Sequence, residues 1–326
     1  MNINKQERNE AIMKKINFGL IGVGYLGKYH LKHLLKFDFI NLVGIHDTNQ
    51  KLMVDLSKKY NVNYYASLNE LLNQIDAACI VTPTNCHAEI ARIALKSNCH
   101  IFIEKPISHS LKSANKILKQ TKQQKKIAHV GHIERFNPAF KAFMATPRKP
   151  LFLECHRLTK INNRSMDISV ISDLMIHDID LLIHMINSPI KSIIADGIKV
   201  ISNNIDLANV KLIFENGCIA NLTASRISNK NMRKIRVFEN KKYTSIDLLN
   251  KEIEEYSAIQ DKATNQLTFK ESHTPIDNYD ALEKELRYFY QAIKNNDLST
   301  DNITNAIHAL DIAEKINTII EDKGSS

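Results

Sequence analysis

The stretch "INFGLIGVGYLGKYH", residues 16–30, decides how the rest of the chain is read. An apolar run, Ile16–Ile21, leads into Gly22, Gly24 and Gly27 at the spacing G-x-G-x-x-G. Behind the glycines, Leu26, Tyr29, Leu31 and Leu34 recur at roughly helical intervals. The spacing alone also fits a plain strand-to-helix turn. It marks a dinucleotide site when a strand precedes it, a helix follows, and an acidic residue ends the next strand about twenty positions on. "INLVGIHD" supplies that residue as Asp47. In such a loop the first glycine permits a tight turn and the second lets the backbone approach a pyrophosphate. The third allows close helix packing, and the helix start offers N–H groups to the phosphates. Asp47 would accept the adenosine ribose hydroxyls and repel a 2′-phosphate. No arginine follows it in "HDTNQK", so NAD is expected rather than NADP.

Outward from the loop, strand and helix patterns alternate. "AACIVTPT", "HIFIEKP" and "KIAHVGHI" are unalternating apolar runs, separated by the helical stretches "HAEIARIALKSN" and "SANKILKQTKQQ". That order predicts an α/β domain, a doubly wound parallel sheet of Rossmann type. Beyond residue 131 the pattern changes. "FNPAFKAFM" and "DLMIHDIDLLIHMI" look helical, and β-type alternation runs from Lys191 to about Phe269. Asn216-Gly217 marks a hairpin turn, "KIRVFENKKYTSIDLL" a second hairpin, and two helices close the chain. The expected division is a flexible tail at 1–15, a nucleotide-binding domain at 16–131, and an α+β domain at 132–326. The latter carries an open, mostly antiparallel sheet and serves substrate binding and oligomerisation.

Composition narrows the function classes. The 326 residues are 44% hydrophobic and 24% charged, ordinary for a globular enzyme. The net charge of +9 is spread along the chain without interleaved aromatic residues, which argues against a nucleic-acid partner. A basic surface would instead attract an anionic substrate. No apolar run is long enough for a membrane span. The polar start "MNINKQERNEAIMKK" lacks the apolar core of a secretory signal. Five cysteines without framework or zinc spacing suit a reducing cytoplasm.

Ligands of parallel sheets bind beyond the strands' carboxyl ends. The cofactor residues expected on this basis are Gly22, Gly24, Tyr25, Leu26, Gly27 and Asp47, then Thr82, Pro83, Thr84 and His87, then Glu104 and Lys105. Lys105 precedes a proline and is held extended at the cleft mouth. In "DLMIHDIDLLIHMI", Asp173, His177, Asp180 and His184 fall on one stripe of an otherwise apolar helix. Such ionisable groups need a partner or a wet cleft, and an Asp four residues before a His can orient it as a general base. The same stripe could be the solvated side of the helix or a metal ligand set; no metal is expected, since nicotinamide chemistry needs none.

At these residues the sequence resembles the Gfo/Idh/MocA oxidoreductases, from the glycine loop through "VTPTNCHAEIA" and "EKP" to "DLMIHDID". The resemblance implies a catalytic site lined by Lys105, Asp173 and His177. "GHIERFNPAF", "VISDLMIHDIDLL" and "ASRIS" are similar to a nucleotide-sugar subgroup, the bacterial UDP-N-acetylglucosamine 3-dehydrogenases. One departure is "ISVISDLMIH", where family members often carry Gly-Gly. The implied reaction oxidises a sugar secondary alcohol, the 3-hydroxyl of UDP-N-acetylglucosamine, to a ketone destined for amino-sugar, surface polysaccharide or lipid A synthesis. Asp173 and His177 would face the sugar, and Arg135, Asn137, Arg157 and Arg226 would hold its diphosphate, since arginine forks suit phosphate oxygens. A homodimer or homotetramer is expected. Three alternatives stay open: a dehydrogenase of a free polyol such as inositol, a non-catalytic nucleotide sensor, and a metal-dependent lyase or hydrolase.

Overall fold

The computed structural model describes residues 15–161, 166–260 and 267–324; the expected tail at 1–15 lies almost entirely outside them. The chain divides into two compact units. The first comprises residues up to Gly131 together with Arg287–Ile303, and the second comprises His132–Leu286 and Thr304 onward.

In the first unit the described strands are β1 (Ile16–Ile21), β2 (Ile40–His46), β3 (Ala77–Ile80), β4 (His100–Glu104) and β5 (Ala128–Gly131). They form a parallel sheet in the order β2-β1-β3-β4-β5. Helices α1 (Tyr25–Leu34), α2 (Gln50–Tyr60), α3 (Leu68–Leu72), α4 (Thr84–Lys96) and α5 (Leu111–Gln124) connect them. All four residues of β3 are buried, which explains a strand without alternation. The switch in strand order between β1 and β3 brings the glycine loop and the "VTPT" turn to neighbouring strand ends.

The second unit begins with a 3₁₀ turn, Ile133–Phe136, and α6 (Pro138–Met144). Strand β6 (Phe152–Lys160) precedes a π-helical turn, Ile171–Met175, which runs into α7 (Ile176–Ile186). Seven further strands follow: β7 (Ile190–Ile198), β8 (Leu207–Phe214), β9 (Ile219–Ser228), β10 (Met232–Glu239), β11 (Lys242–Asp247), β12 (Glu252–Gln260) and β13 (Leu267–His273). The described strands pair as β13-β12-β11-β10-β6-β9-β8-β7, antiparallel except for β6 with β9. Helices α8 (Ala281–Lys294) and α9 (Asp301–Gly324) close the chain. One face of this sheet buries Leu153, Val210, Leu222 and Val237 in a core with Ile179 and Leu182 of α7 and Ile312 and Ile316 of α9.

Two differences from the sequence reading have plain causes. No element was expected at 152–160, yet β6 sits inside the large sheet. Its inward row is Leu153, Cys155 and Arg157, and a charged residue in a core row hides the period of two. Residues 287–303 belong to the first unit rather than the second because Phe289, fully buried, packs edge-on against Phe18 and Phe102 at 5.9 Å each. Burying such a ring contributes roughly 1.5–3 kcal/mol.

Candidate active site

Gly22 hangs from the end of β1 with φ +89°, its N–H donating to the His46 carbonyl at 2.8 Å. A Cβ there would lie 2.5 Å from the Val81 carbonyl oxygen, so only glycine fits. At Gly27 a Cβ would strike the Gly22 carbonyl, which fixes how closely α1 approaches the strand. Gly24 is the opposite case, with nothing within 4 Å of where its Cβ would stand. This glycine opens a cradle instead of relieving a clash. It also serves as N-cap of α1 without a side-chain cap, and the first helical turn holds no acid. A helix start in this state attracts an anion. Asp47 accepts the Val23 N–H at 2.8 Å and the Asn49 N–H at 2.9 Å, which places a carboxylate against the loop. The Thr82 hydroxyl oxygen is buried with no hydrogen-bond partner among the described residues. Together these features fit a dinucleotide. Tyr25 and Leu26 stand exposed on the first turn of α1, at 56% and 50%.

Pro83 caps α4, and Thr84 is its first residue. His87 is buried, with Nε2 2.8 Å from the Thr82 carbonyl and Nδ1 2.9 Å from that of Pro106. Burial lowers its pKa despite both carbonyls, and a neutral ring can donate to only one of them. The ring thus bridges the turn after β3 and the turn after β4, with one nitrogen donating and the other lying against a carbonyl. Glu104 receives His30 Nε2 at 2.8 Å and the Lys105 N–H at 3.2 Å. Lys105 is half-buried, and its peptide bond to Pro106 is cis.

In the second unit, Asp173 lies in the π turn and His177 one residue into α7, both half-buried. The single α-helical stripe expected from sequence is therefore broken by a wide turn, a feature common at functional sites. His184 is exposed. Asp180, 1% exposed, is taken by Arg135, whose Nε donates to Oδ2 at 2.7 Å while Nη2 bonds Oδ1. Among the described residues no group of three or more His, Cys, Asp or Glu could hold a metal ion.

The four expected diphosphate anchors are committed inside the protein. Arg157 is 2% exposed; its Nε and Nη2 donate to Asp178 at 2.8–3.0 Å and its Nη1 to Glu134 at 2.9 Å. Asn137 caps α6 through Ala139 N–H and donates to Glu134 and the Leu248 carbonyl. Arg226 donates to the Ile168 carbonyl at 2.6 Å and lies 3.7 Å from Asp206. Arg135 is held by Asp180 as above. Moving Arg135 or Arg157 to a phosphate would strip a buried carboxylate, Asp180 or Asp178, of its guanidinium, at a cost of several kcal/mol. Burial alone would raise the Glu134 carboxyl, but the guanidinium groups of Arg157 and Arg233 outweigh it and hold it below the usual range. Asp178, which falls off the stripe, and Glu134 were not singled out in the sequence; charged residues inside otherwise apolar helical patterns were their only signal.

Residues 16–132 match the family model "Oxidoreductase family, NAD-binding Rossmann fold", and residues 139–242 match "GFO/IDH/MocA C-terminal domain". The UDP-N-acetylglucosamine 3-dehydrogenase of Acidithiobacillus ferrooxidans is 31% identical over 277 residues, 84% of this chain and 88% of that protein. This chain belongs to the Gfo/Idh/MocA family. A solved structure of the Acidithiobacillus enzyme superposes with a TM-score of 0.88 at 29% identity, covering 95% of this chain and 99% of that one. The myo-inositol 2-dehydrogenase of Thermotoga maritima is 26% identical over 230 residues, 65% of this chain and 69% of that protein. As a Gfo/Idh/MocA protein, the chain is an oxidoreductase with a nicotinamide dinucleotide site. No helix among the described residues is long and apolar enough to cross a membrane.

Proposed function

We propose that this chain is an NAD-dependent dehydrogenase of a nucleotide sugar, oxidising the 3-hydroxyl of UDP-N-acetylglucosamine. The similarity to the Acidithiobacillus enzyme over 84% of the chain carries this reading. Asp47 supports NAD over NADP: its carboxylate accepts the Val23 N–H of the glycine loop and would repel a 2′-phosphate, with no arginine in the following Thr48–Lys51 to offset it. The bound dinucleotide supplies the acceptor for the carbon-bound hydrogen and its electron pair. His177 takes the hydroxyl proton as the C–H bond breaks and the carbonyl forms, which contributes about 10²–10⁴-fold when a base is well placed. Asp173 orients that imidazole. Lys105 donates to the reacting oxygen and stabilises its developing charge. The bare face of the second unit's sheet carries a row of aromatic rings, Phe152, Phe238, Tyr243 and Tyr256, with neighbouring centroids 5.1–5.9 Å apart. That row, with Ile194 51% exposed, supports a homodimer or homotetramer. The five cysteines are free thiols, as a reducing cytoplasm would keep them.

A second reading, a dehydrogenase of a free polyol, gains from the engagement of all four expected phosphate anchors, which leaves no dedicated arginine set for a diphosphate among them. The test is turnover with NAD across UDP-hexosamines and inositols, followed by absorbance of the reduced cofactor. Turnover of UDP-N-acetylglucosamine that is abolished by Lys105→Ala and by His177→Ala supports the first reading. Turnover of inositols alone replaces it with the second.

A further inference from the structure

We propose that His30 is a positioning residue for Lys105, tying the helix of the glycine loop to the Glu-Lys-Pro turn through the Glu104 carboxylate. The proposal rests on the reading of Lys105 as a catalytic group. His30 lies on α1, three residues beyond Gly27, and is 1% exposed. Its Nε2 stands 2.8 Å from Glu104 Oε1, while Glu104 Oε2 accepts the Lys105 N–H at 3.2 Å. One carboxylate thus joins the cofactor helix to the backbone of the lysine.

The chemistry of the ring supports a dedicated role. His30 Nδ1 is buried and has no hydrogen-bond partner among the described residues. A protonated ring would bury an unsatisfied N–H there, so the fitting form is neutral, with its proton on Nε2 donated to Glu104. The ring stands edge-on to Phe102 of β4 at 5.4 Å, which blocks a swing away from the carboxylate. Burial raises the Glu104 pKa, but the His30 hydrogen bond and the Lys105 charge outweigh it and keep the carboxylate ionised. A single hydrogen bond of this kind adds little net stability, so stability alone is a weak reason for this one. Its geometric effect is direct: two hydrogen bonds fix the position of the Lys105 backbone relative to α1.

The experiment uses the full chain with His30→Ala, His30→Gln and Glu104→Gln, each alone and combined with Lys105→Ala. The first readout needs no substrate: acetylation of Lys105 by an acetyl N-hydroxysuccinimide ester, quantified by mass spectrometry against exposed Lys122. Losing a hydrogen bond of ordinary net worth should change the Lys105 rate by about 3–10-fold in His30→Ala. His30→Gln, which restores a donor, should return toward wild type. The second readout is turnover, where kcat should fall by about 10–100-fold in His30→Ala with NADH affinity nearly unchanged. The same change should add nothing once Lys105 is alanine. An unchanged Lys105 labelling rate, or an equal loss of kcat on the Lys105→Ala background, overturns the proposal. If wild type turns over no sugar, the substrate reading fails while the labelling comparison still decides the role of His30. Should His30→Ala not fold, the near-isosteric Glu104→Gln carries both readouts.

Discussion

Replacing Arg157 separates a phosphate ligand from an internal brace. Arg157→Ala removes the guanidinium that donates three contacts to Asp178 and one to Glu134. Glu134 keeps Arg233 at 3.1 Å and Asn137 at 3.1 Å, so the loss falls mainly on Asp178, 3% exposed. Leaving one member of a buried pair uncompensated costs about 3–5 kcal/mol. With a urea slope of about 2 kcal/mol per M, the midpoint of the second unit's transition should drop by roughly 1.5–2.5 M. The transition is best followed by hydrogen exchange of the β6 and α7 amides, because two units with separate cores need not unfold together. The double variant Arg157→Met, Asp178→Leu removes both charges and should recover most of the loss. Under native conditions any Arg157→Ala that stays folded should bind UDP-sugar within a few-fold of wild type. A variant of unchanged midpoint and sharply weakened UDP-sugar affinity would refute this reasoning and return Arg157 to the substrate.

Gly24→Val should fill the open cradle and weaken NADH binding by at least about tenfold in fluorescence titration with little change in melting temperature. Gly22→Ala should instead destabilise the first unit, since its positive φ alone costs about 1–3 kcal/mol before the clash with Val81. Asp47→Asn should narrow the preference for NAD over NADP by roughly tenfold in kcat/KM, a charge repulsion near a partly exposed site being worth about 1–2 kcal/mol. Asp206 gives a pH prediction. Burial raises its pKa, but the Ser202 hydroxyl and the Val200, Ile201 and Ser202 amides outweigh it and bring it down from 3.8 to about 2. A depressed carboxyl stabilises the fold above its unfolded pKa, so about 2 kcal/mol is present above about pH 4 and lost as pH falls toward 2. Asp206→Asn should therefore lower the urea midpoint at pH 7 and converge on wild type near pH 2.

The first unit was legible because its signals are local. Gly22, Gly24, Gly27 and Asp47 lie within one strand-helix-strand segment, and their spacing follows from the turn, the helix start and the strand end of that segment, although the Gly22 site is also crowded by Val81. β3 announces itself by being buried on both faces, and the Asn216-Gly217 turn by a residue that tolerates φ of +84°. Contacts made at long range were not legible. Arg157 meets Asp178 across twenty-one residues, and Asn137 meets the Leu248 carbonyl across one hundred and eleven. Nothing in the local pattern tells a guanidinium waiting for a phosphate from one already paired. The π turn at Ile171–Met175 was hidden for a related reason, since one extra residue in a turn leaves the apolar content unchanged while rotating every side chain of the helix beyond it.

The pairing of the arginines also changes the demands on α7. In an α-helix successive residues turn about 100°, so Asp178 and Asp180 lie on either side of His177. Arg157 grips the first and Arg135 the second, and both carboxylates are buried. A rotation of α7 that carried the imidazole away from its present direction would have to pull at least one carboxylate off its guanidinium, at about 3–5 kcal/mol. That exceeds the strength of a single hydrogen bond to the imidazole, typically about 1 kcal/mol. The direction of His177 is accordingly set by its charged neighbours more than by any one contact of its own. The basic residues in "IERF" and "CHRL", expected to hold a diphosphate, here grip the carboxylates on either side of His177.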